Sequence, residues 1–291
     1  SCSISTNADG TINLTEGSAD IGGTRASAAM MAAEVLGIRA EDVHPAVVDT
    51  DSTGYTSGTG GSSVTFKLGW ATHEAAQDLK SQMIERAGVI WDVEPDSVAL
   101  ENGVFQSKSD PELSMTFKEL TAQLNATGGP IVGRAAVNAT GVGAAFAGCI
   151  ADVEVDPETG KVDVLRFTIV QDAGKAIHPS YVEGQMQGGA VQGIGWALNE
   201  EYYMSDDGLM QNSSFLDYRM PTALDMPMID TVIVEVANPG HPFGVRGVGE
   251  VSIVPPPAAI ANAIHRATGV RMEVLPMNPG AIMEAIWKRG N

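Results

Sequence analysis

Apolar and polar residues alternate in Thr11-Ile-Asn-Leu14, in Ala147-Gly-Cys-Ile-Ala-Asp-Val-Glu-Val155 and in Lys161-Val-Asp-Val-Leu-Arg-Phe-Thr-Ile-Val170, and a β-branched run fills Thr231-Val-Ile-Val-Glu-Val236. A period of two predicts strands at all four places. Longer spacing predicts helices over Arg25 to Leu36, whose apolar side carries Met30, Met31, Ala33, Val35 and Leu36, and over Phe66 to Ala87, Val182 to Leu198 and Ala258 to Ile264. Three of the strands share one continuation, a Gly-rich polar loop and then a helix of small residues: Glu16 to Thr24, Asp172 to Pro179, and the loop that carries Glu250. A fourth loop, Asp49 to Thr65, leads into the helix at Phe66. Interleaved strands and helices of this kind predict an α+β chain. We expect two subdomains, 1–135 and 136–291, each a mixed sheet covered by helices, with the Gly-rich loops converging on one cleft and a linker over Leu124 to Gly133.

Some positions run against their local structure. Five glycines fall within Gly184 to Gly195 of a predicted helix, where each costs about 1 kcal/mol relative to alanine, so close approach of backbone or ligand is expected there. Gln185, Gln187 and Gln192 on that helix are candidate ligand donors, Gln185 first, or else make ordinary hydrogen bonds on the helix surface. Gly244, Gly247 and Gly249 relax the backbone before a single acid, Glu250, which precedes Pro255 to Pro257 and a small-residue helix. Glu250 is therefore expected either as a buried general base or as the cap of that helix. The hydroxyl- and glycine-rich loop from Asp49 to Thr65 can cradle an anion on backbone amides, or can be a capped helix entry. No Gly-Lys-Ser/Thr follows, so it is not a P-loop.

The net charge of −19 over 291 residues argues against nucleic acid or an anionic membrane as a partner. No apolar run approaches the roughly 20 residues that span a bilayer, and Ser1-Cys-Ser-Ile-Ser-Thr has no signal-peptide layout. Two cysteines, Cys2 and Cys149, with no CxxC pattern encode neither a zinc site nor an iron–sulfur cluster, and such low cysteine use fits a reducing cytoplasm. His44, His73, His178, His241 and His265 form no metal-spaced set; His178 and His241 read as turn histidines. The 13 methionines read as core filler.

Taken in order, Gly17 to Leu36, Asp49-Thr-Asp-Ser-Thr with Thr59-Gly-Gly-Ser-Ser63, Val153-Glu-Val-Asp-Pro-Glu-Thr-Gly160, Glu183-Gly-Gln-Met-Gln-Gly-Gly-Ala-Val-Gln-Gly193 and Gly247-Val-Gly-Glu250 resemble the C-terminal half of the molybdopterin-binding subunit of the xanthine dehydrogenase/aldehyde oxidase family of molybdenum hydroxylases. The resemblance spans nearly the whole chain. It implies that Glu250 is the catalytic glutamate, taking a proton from the hydroxide that attacks an electron-poor carbon, and that Gln185 faces the molybdenum centre. Gly60, Gly61, Ser62 and Ser63 would hold the pterin and its phosphates, with Gly22, Gly23, Thr24, Gly247 and Gly249 also lining the cofactor. Asp20-Ile-Gly-Gly-Thr24 stands where many members carry Gly-Gln-Gly, so that polar contact is not carried over. The resemblance further implies a molybdopterin cytosine dinucleotide whose molybdenum is held by the pterin dithiolene and by no protein ligand. The family's N-terminal cofactor subdomain lies outside this sequence, so the expectation is one subunit of a split enzyme, with a partner chain that supplies that half, or a fragment that stays associated with it, and [2Fe-2S] and FAD on partner chains or domains. The activity implied is hydroxylation of an N-heterocycle or an aldehyde with water as the oxygen source. A non-catalytic cofactor-binding or assembly subunit, or an unrelated nucleotide-binding module, is the alternative.

Overall fold

A computed structural model describes residues 1–49 and 51–290, and the chain divides into two units. The first comprises Ser1–Gly143, Gly174–His178 and Ala237–Gly247. Along it run β1 (Cys2–Thr6), β2 (Ile12–Glu16), α1 (Thr24–Leu36), β3 (Val43–Val47), α2 (Val64–Trp91), β4 (Val98–Glu101), β5 (Val104–Ser107), β6 (Ser114–Thr116), α3 (Phe117–Gln123) and β7 (Val132–Ala135). β1 and β2 pair antiparallel with Cys2 opposite Glu16, β3 lies parallel to β2, and β7 lies antiparallel to β1, giving the order β3-β2-β1-β7. Alternation in β1 and β2 turns Cys2, Ile4, Thr6, Ile12, Leu14 and Glu16 inward. α1 is thus the crossover of a β-α-β unit, and it packs with α2 over the buried face, where Ile4, Ile12, Leu14, Leu36, Leu79 and Met83 are fully enclosed. Each such side chain contributes about 1.5–3 kcal/mol by leaving water. β4, β5 and β6 form a separate antiparallel sheet, and α3 starts with a capping box of Thr116 and Glu119. The stretch 124–133 runs inside this unit, through a 3-10 turn at Leu124–Ala126 into β7.

Gly133 on β7 lets the sheet and α2 touch: a Cβ there would lie 2.6 Å from Leu79 N and 2.7 Å from Leu79 Cβ, and would run into the Ala75 carbonyl. Backbone cannot retreat as a flexible side chain does. Gly133→Ala is expected to destabilise the protein by about 1–3 kcal/mol, measured as a lower midpoint in thermal or denaturant unfolding.

The second unit comprises Ala144–Ala173, Pro179–Val236 and Val248–Asn291. Its elements are β8 (Ala147–Val155), β9 (Val162–Asp172), α4 (Pro179–Leu198), β10 (Ile229–Val234), α5 (Pro256–Thr268) and α6 (Pro279–Gly290). β8 and β9 pair antiparallel, and β10 lies parallel to β9. α4, which follows β9 in the chain and precedes β10, makes a second β-α-β unit. Phe167 and Ile169 of β9, Met186, Ala190 and Ile194 of α4, and Ile260 and Ile264 of α5 close its core. The α+β class expected from the sequence holds in both units.

Candidate functional site

In the first unit, β2 ends at Glu16, whose carboxylate accepts a hydrogen bond from the Ser18 amide. Burial pushes the Glu16 carboxyl above the usual carboxylate range. The loop that follows enters α1 through two successive left-handed residues, Gly22 (φ 62) and Gly23 (φ 76), which glycine adopts without a Cβ penalty. Asp20 closes this entry, its carboxylate accepting from the Arg25 amide at 3.2 Å and pairing with the Arg25 guanidinium at 2.5 Å. Gly22 is exposed, whereas Thr24 is buried and donates its hydroxyl to the Ala19 carbonyl at 3.5 Å. Of the three residues expected to contact a ligand here, Gly22 and Gly23 present backbone; the Thr24 hydroxyl is spent inside the loop.

The second loop packs against the first. A Cβ on Gly17 would lie 2.7 Å from both Thr53 Oγ1 and Thr56 Oγ1, so glycine is required for the two to meet. Asp49 organises the start of this loop by accepting from the amides of Asp51 and Ser52 and from the Ser52 hydroxyl at 2.8–3.0 Å. Thr50, part of the Asp49-Thr-Asp-Ser-Thr motif, lies outside the described residues. At the far end, Gly60 and Gly61 are exposed, and a Cβ on either would meet nothing within 4 Å. Gly61 (φ 62) and Ser62 (φ 54) are both left-handed, an uncommon state for serine that turns successive peptide units just before α2. Ser63 is buried at the N-cap of α2, and its hydroxyl donates to the Gly60 carbonyl at 2.8 Å rather than capping the helix. Glu16 Oε1 and Thr56 Oγ1 are buried with no hydrogen-bond partner among the described residues.

Gly247 comes to this place from nearly two hundred residues later in the chain. A Cβ on it would sit 2.9 Å from Ser62 Cβ and 3.1 Å from the Ser62 carbonyl, so this glycine lies flat on the Gly61–Ser62 turn. The sequence reading did not single out Lys67, whose ammonium donates to the Ser57 hydroxyl at 3.2 Å and so stands beside the same loop. A signal existed, because a lysine in the first turns of a helix opposes the positive end of the helix dipole unless an anion offsets it.

In the second unit four of the five glycines of α4 fall into two sets, and the fifth, Gly195, packs against Pro221. Gly184 and Gly188 are exposed with nothing near their missing Cβ positions. Gly189 and Gly193 are buried: a Cβ on Gly189 would meet Ser252 Cβ at 2.9 Å and the Gly249 carbonyl at 3.2 Å, and one on Gly193 would meet Pro256 at 2.7 Å and the Ile253 carbonyl at 2.9 Å. The second set therefore seats the segment Gly249 to Pro256 directly on the helix. Ser252 is buried, its hydroxyl within hydrogen-bond reach of the Gln185 carbonyl at 3.4 Å and the Gly249 carbonyl at 3.3 Å. Gln171 on β9 donates to the Val248 carbonyl at 2.9 Å. Gln185 and the Gly249–Glu250 turn are thus brought together, while Gln187 donates to the Ile229 carbonyl at 3.2 Å and serves the sheet instead.

Glu250 is exposed, contrary to the expectation of a buried base. It precedes a single 3-10 turn, Val251–Ile253, in which Ser252 takes the inward place beneath Gly189, leaving Glu250 on the outer side. Its side chain makes no capping bond to that turn, and the N-cap of α5 is Pro255, so Glu250 does not cap the helix that follows. Tyr218, in Phe215-Leu-Asp-Tyr-Arg-Met-Pro221, donates to Glu200 at 2.9 Å, and this bond holds its phenol up at about 12. Among the described residues no cluster of histidine, cysteine, aspartate or glutamate could hold a metal ion, and no helix is long and apolar enough to cross a membrane.

Residues 1–227 match the family described as molybdopterin cofactor-binding domain, and the chain belongs to that family. The xanthine dehydrogenase molybdenum-binding subunit of Escherichia coli O157:H7 is 34% identical over 285 residues, covering 96% of this chain and 38% of that subunit. Among solved structures, a Cu,Mo-CO dehydrogenase in the carbon monoxide reduced state aligns with a TM-score of 0.87 at 26% identity, over 99% of this chain and 38% of that one. Quinoline 2-oxidoreductase from Pseudomonas putida 86 aligns with a TM-score of 0.84 at 27% identity, again over 99% and 38%. The chain spans well under half the length of each of these relatives.

Proposed function

We propose that this chain is the molybdopterin-binding part of a hydroxylase that oxidises an N-heterocycle or an aldehyde with water as the oxygen source. Electrons would pass to iron–sulfur and flavin partner subunits, and a further chain or segment would supply the remaining cofactor contacts. The observation that carries this reading is the seating of Gly247 on the Gly61–Ser62 turn, because it brings two motifs distant in the chain into direct backbone contact.

The residues present suit a phosphate-bearing pterin. A chain with net charge −19 offers little cationic surface, yet Gly60 and Gly61 leave open backbone, the Gly61–Ser62 turn reorients successive amides, and Lys67 stands beside the loop. The cytosine dinucleotide form is the expected one, with Gly22 and Gly23 offering further exposed or half-buried backbone on the loop that packs against it through Gly17. When bound, the molybdenum pterin supplies the two-electron oxidation. Glu250, exposed at the end of its turn, accepts a proton at its carboxylate as the new carbon–oxygen bond forms. Gln185 orients the reacting partner through its side-chain amide, and the Gln171–Val248 and Ser252–Gly249 bonds fix the turn that aims Glu250. Xanthine and quinoline in the names of two relatives favour a heterocycle over an aldehyde as substrate. A cytoplasmic setting fits such chemistry.

Elemental and nucleotide analysis of the complex isolated through this chain tests the reading. We expect molybdenum with a matching amount of cytidine monophosphate released by acid, and iron on a copurifying subunit. A complex that holds a simple nucleotide and no molybdenum under cofactor-replete growth would refute it. Molybdenum without turnover on heterocycles or aldehydes would instead support an assembly role.

A further inference from the structure

His241 lies in the first unit, 6% exposed, in a cage of Phe66 (ring centroids 4.9 Å apart), Trp70 (6.0 Å) and Phe243 (6.2 Å). Its two ring nitrogens have different partners. The Phe243 amide donates to Nδ1 at 3.0 Å, so Nδ1 carries no proton; Nε2–H then donates to the Phe66 carbonyl at 3.0 Å. Phe66 is in the first turn of α2, three residues after Ser63. The imidazole therefore bolts the segment Ala237–Gly247 to the helix whose N-terminal approach is the Gly61–Ser62 turn. Gly69, one turn further along α2, makes room for it: a Cβ there would lie 3.4 Å from Nε2 and 2.6 Å from the sulfur of Met31. The rest of the segment is held equally tightly, by Asn238 donating to the Val142 carbonyl at 3.0 Å and by the Gly244 carbonyl accepting from the amides of Lys175 and Asn238 at 2.9 Å. The segment ends at Gly247, flat on Ser62.

We propose that His241 is a positioning residue for the cofactor, its neutral Nε2–H form setting the spacing between Gly247 and the Gly61–Ser62 turn and so the hold of this unit on the phosphate-bearing part of the ligand. This rests on the cofactor reading of those loops. A histidine that merely fills an aromatic core would be replaceable by phenylalanine; one that bridges two backbone groups is not, since its loss leaves the Phe243 amide without its acceptor and the Phe66 carbonyl with its helical bond alone, which unties the segment from α2.

Protonation opposes the same bond. An imidazolium would turn a second N–H toward the Phe243 amide. Burial holds His241 below the ordinary imidazole value of 6.5, and the charge of His73 acts in the same direction against the raising effect of the Phe66 carbonyl. His73, on α2, contacts Glu74 at 3.3 Å and lies edge-on to Phe243; Phe66, Trp70 and Phe243 of the cage also belong to an apolar cluster with Met31 of α1, Val245, Ala139, Val142 and Ile177. Arg246 is the nearest charge on the segment itself. A histidine with a lowered folded value stabilises the clip fully above about pH 6.5, and that contribution is lost as pH falls below it.

The test uses the purified holo complex with wild-type His241, His241→Gln and His241→Phe at about pH 8 and about pH 5.5, either side of the imidazole range. Two quantities are read: release of molybdenum and cytidine nucleotide on desalting, and amide exchange at 60–63 and 244–249 corrected for the intrinsic pH dependence. Wild type is expected to release cofactor about tenfold faster and to exchange faster at the lower pH. Glutamine, which keeps a donor for Phe66 but does not titrate, should remove that pH dependence, and phenylalanine should release and exchange fast at both values. Wild-type behaviour in the phenylalanine variant, or the same pH dependence in wild type and the glutamine variant, overturns the proposal. A wild-type complex with no molybdenum refutes the cofactor reading instead, and the exchange data still decide whether His241 sets the loop.

Discussion

Glu250→Gln is expected to lower turnover by about 10²- to 10⁴-fold while cofactor content and unfolding midpoint stay at the wild-type level. The substitution keeps size and hydrogen-bonding reach but removes the group that takes up the proton. The turn should tolerate it, because Glu250 is exposed, has ordinary right-handed backbone angles (φ −87, ψ −19) and makes no capping bond to residues 251–253. Loss of kcat with unchanged molybdenum content marks a proton acceptor, and Glu250→Asp, whose carboxylate is one methylene shorter, should fall between glutamine and wild type. A glutamine variant retaining more than about a tenth of wild-type turnover would remove Glu250 from the chemistry, since even modest general-base assistance exceeds that factor.

The elements that the sequence announced most clearly are those whose pattern is local. β8 occupies 147–155 as the alternation predicts, and α1 and α4 begin one and three residues before the expected starts, α4 at Pro179, a favoured first residue. β1 and β3 to β7 escape the sequence reading: each has only three to five residues, too short for a period of two to stand above chance unless, as with β2, a Gly-rich loop and a helix follow. The same division holds at the candidate site. The glycines of the Asp49 to Thr65 loop and of α4 were visible as departures from local preference, and α4 shows why: Gly189 and Gly193 admit a neighbouring backbone. Which glycines would do so, and that Gly247 would rest on Ser62, depends on partners far away in the chain. The buried-base alternative for Glu250 rests on the enclosure that a glycine wall suggests, but the inward place in that wall belongs to Ser252, a residue with no signal of its own. His241 was read as a turn histidine for the same reason: both its bonds go to backbone, and one of them to a residue 175 positions away.

Gly189→Ala tests whether the seat beneath Glu250 matters for catalysis as well as stability. The added methyl would run into the Ser252 hydroxyl and approach Ser252 Cβ to 2.9 Å and the Gly249 carbonyl to 3.2 Å, and the packed helix leaves it no other direction. Ser252 is fully buried, so the turn 249–253 must lift away from α4, weakening the Ser252 bonds to the carbonyls of Gln185 and Gly249. Overpacking of this kind costs about 1–3 kcal/mol. A shift near 1 Å of an aimed catalytic group costs about 10²-fold in rate, so kcat should fall further than the stability loss alone explains. Alanine is otherwise the better helix former, by about 1 kcal/mol, which makes the direction of the effect diagnostic. Removing the obstructing side chain provides the control: in Gly189→Ala/Ser252→Gly the methyl occupies the space left by Ser252, and both stability and turnover should recover well beyond the sum of the single effects, a coupling of about 0.5–3 kcal/mol. Additive losses in the double variant would mean that α4 and the Glu250 turn are not in the contact described, and that Glu250 is positioned by other means.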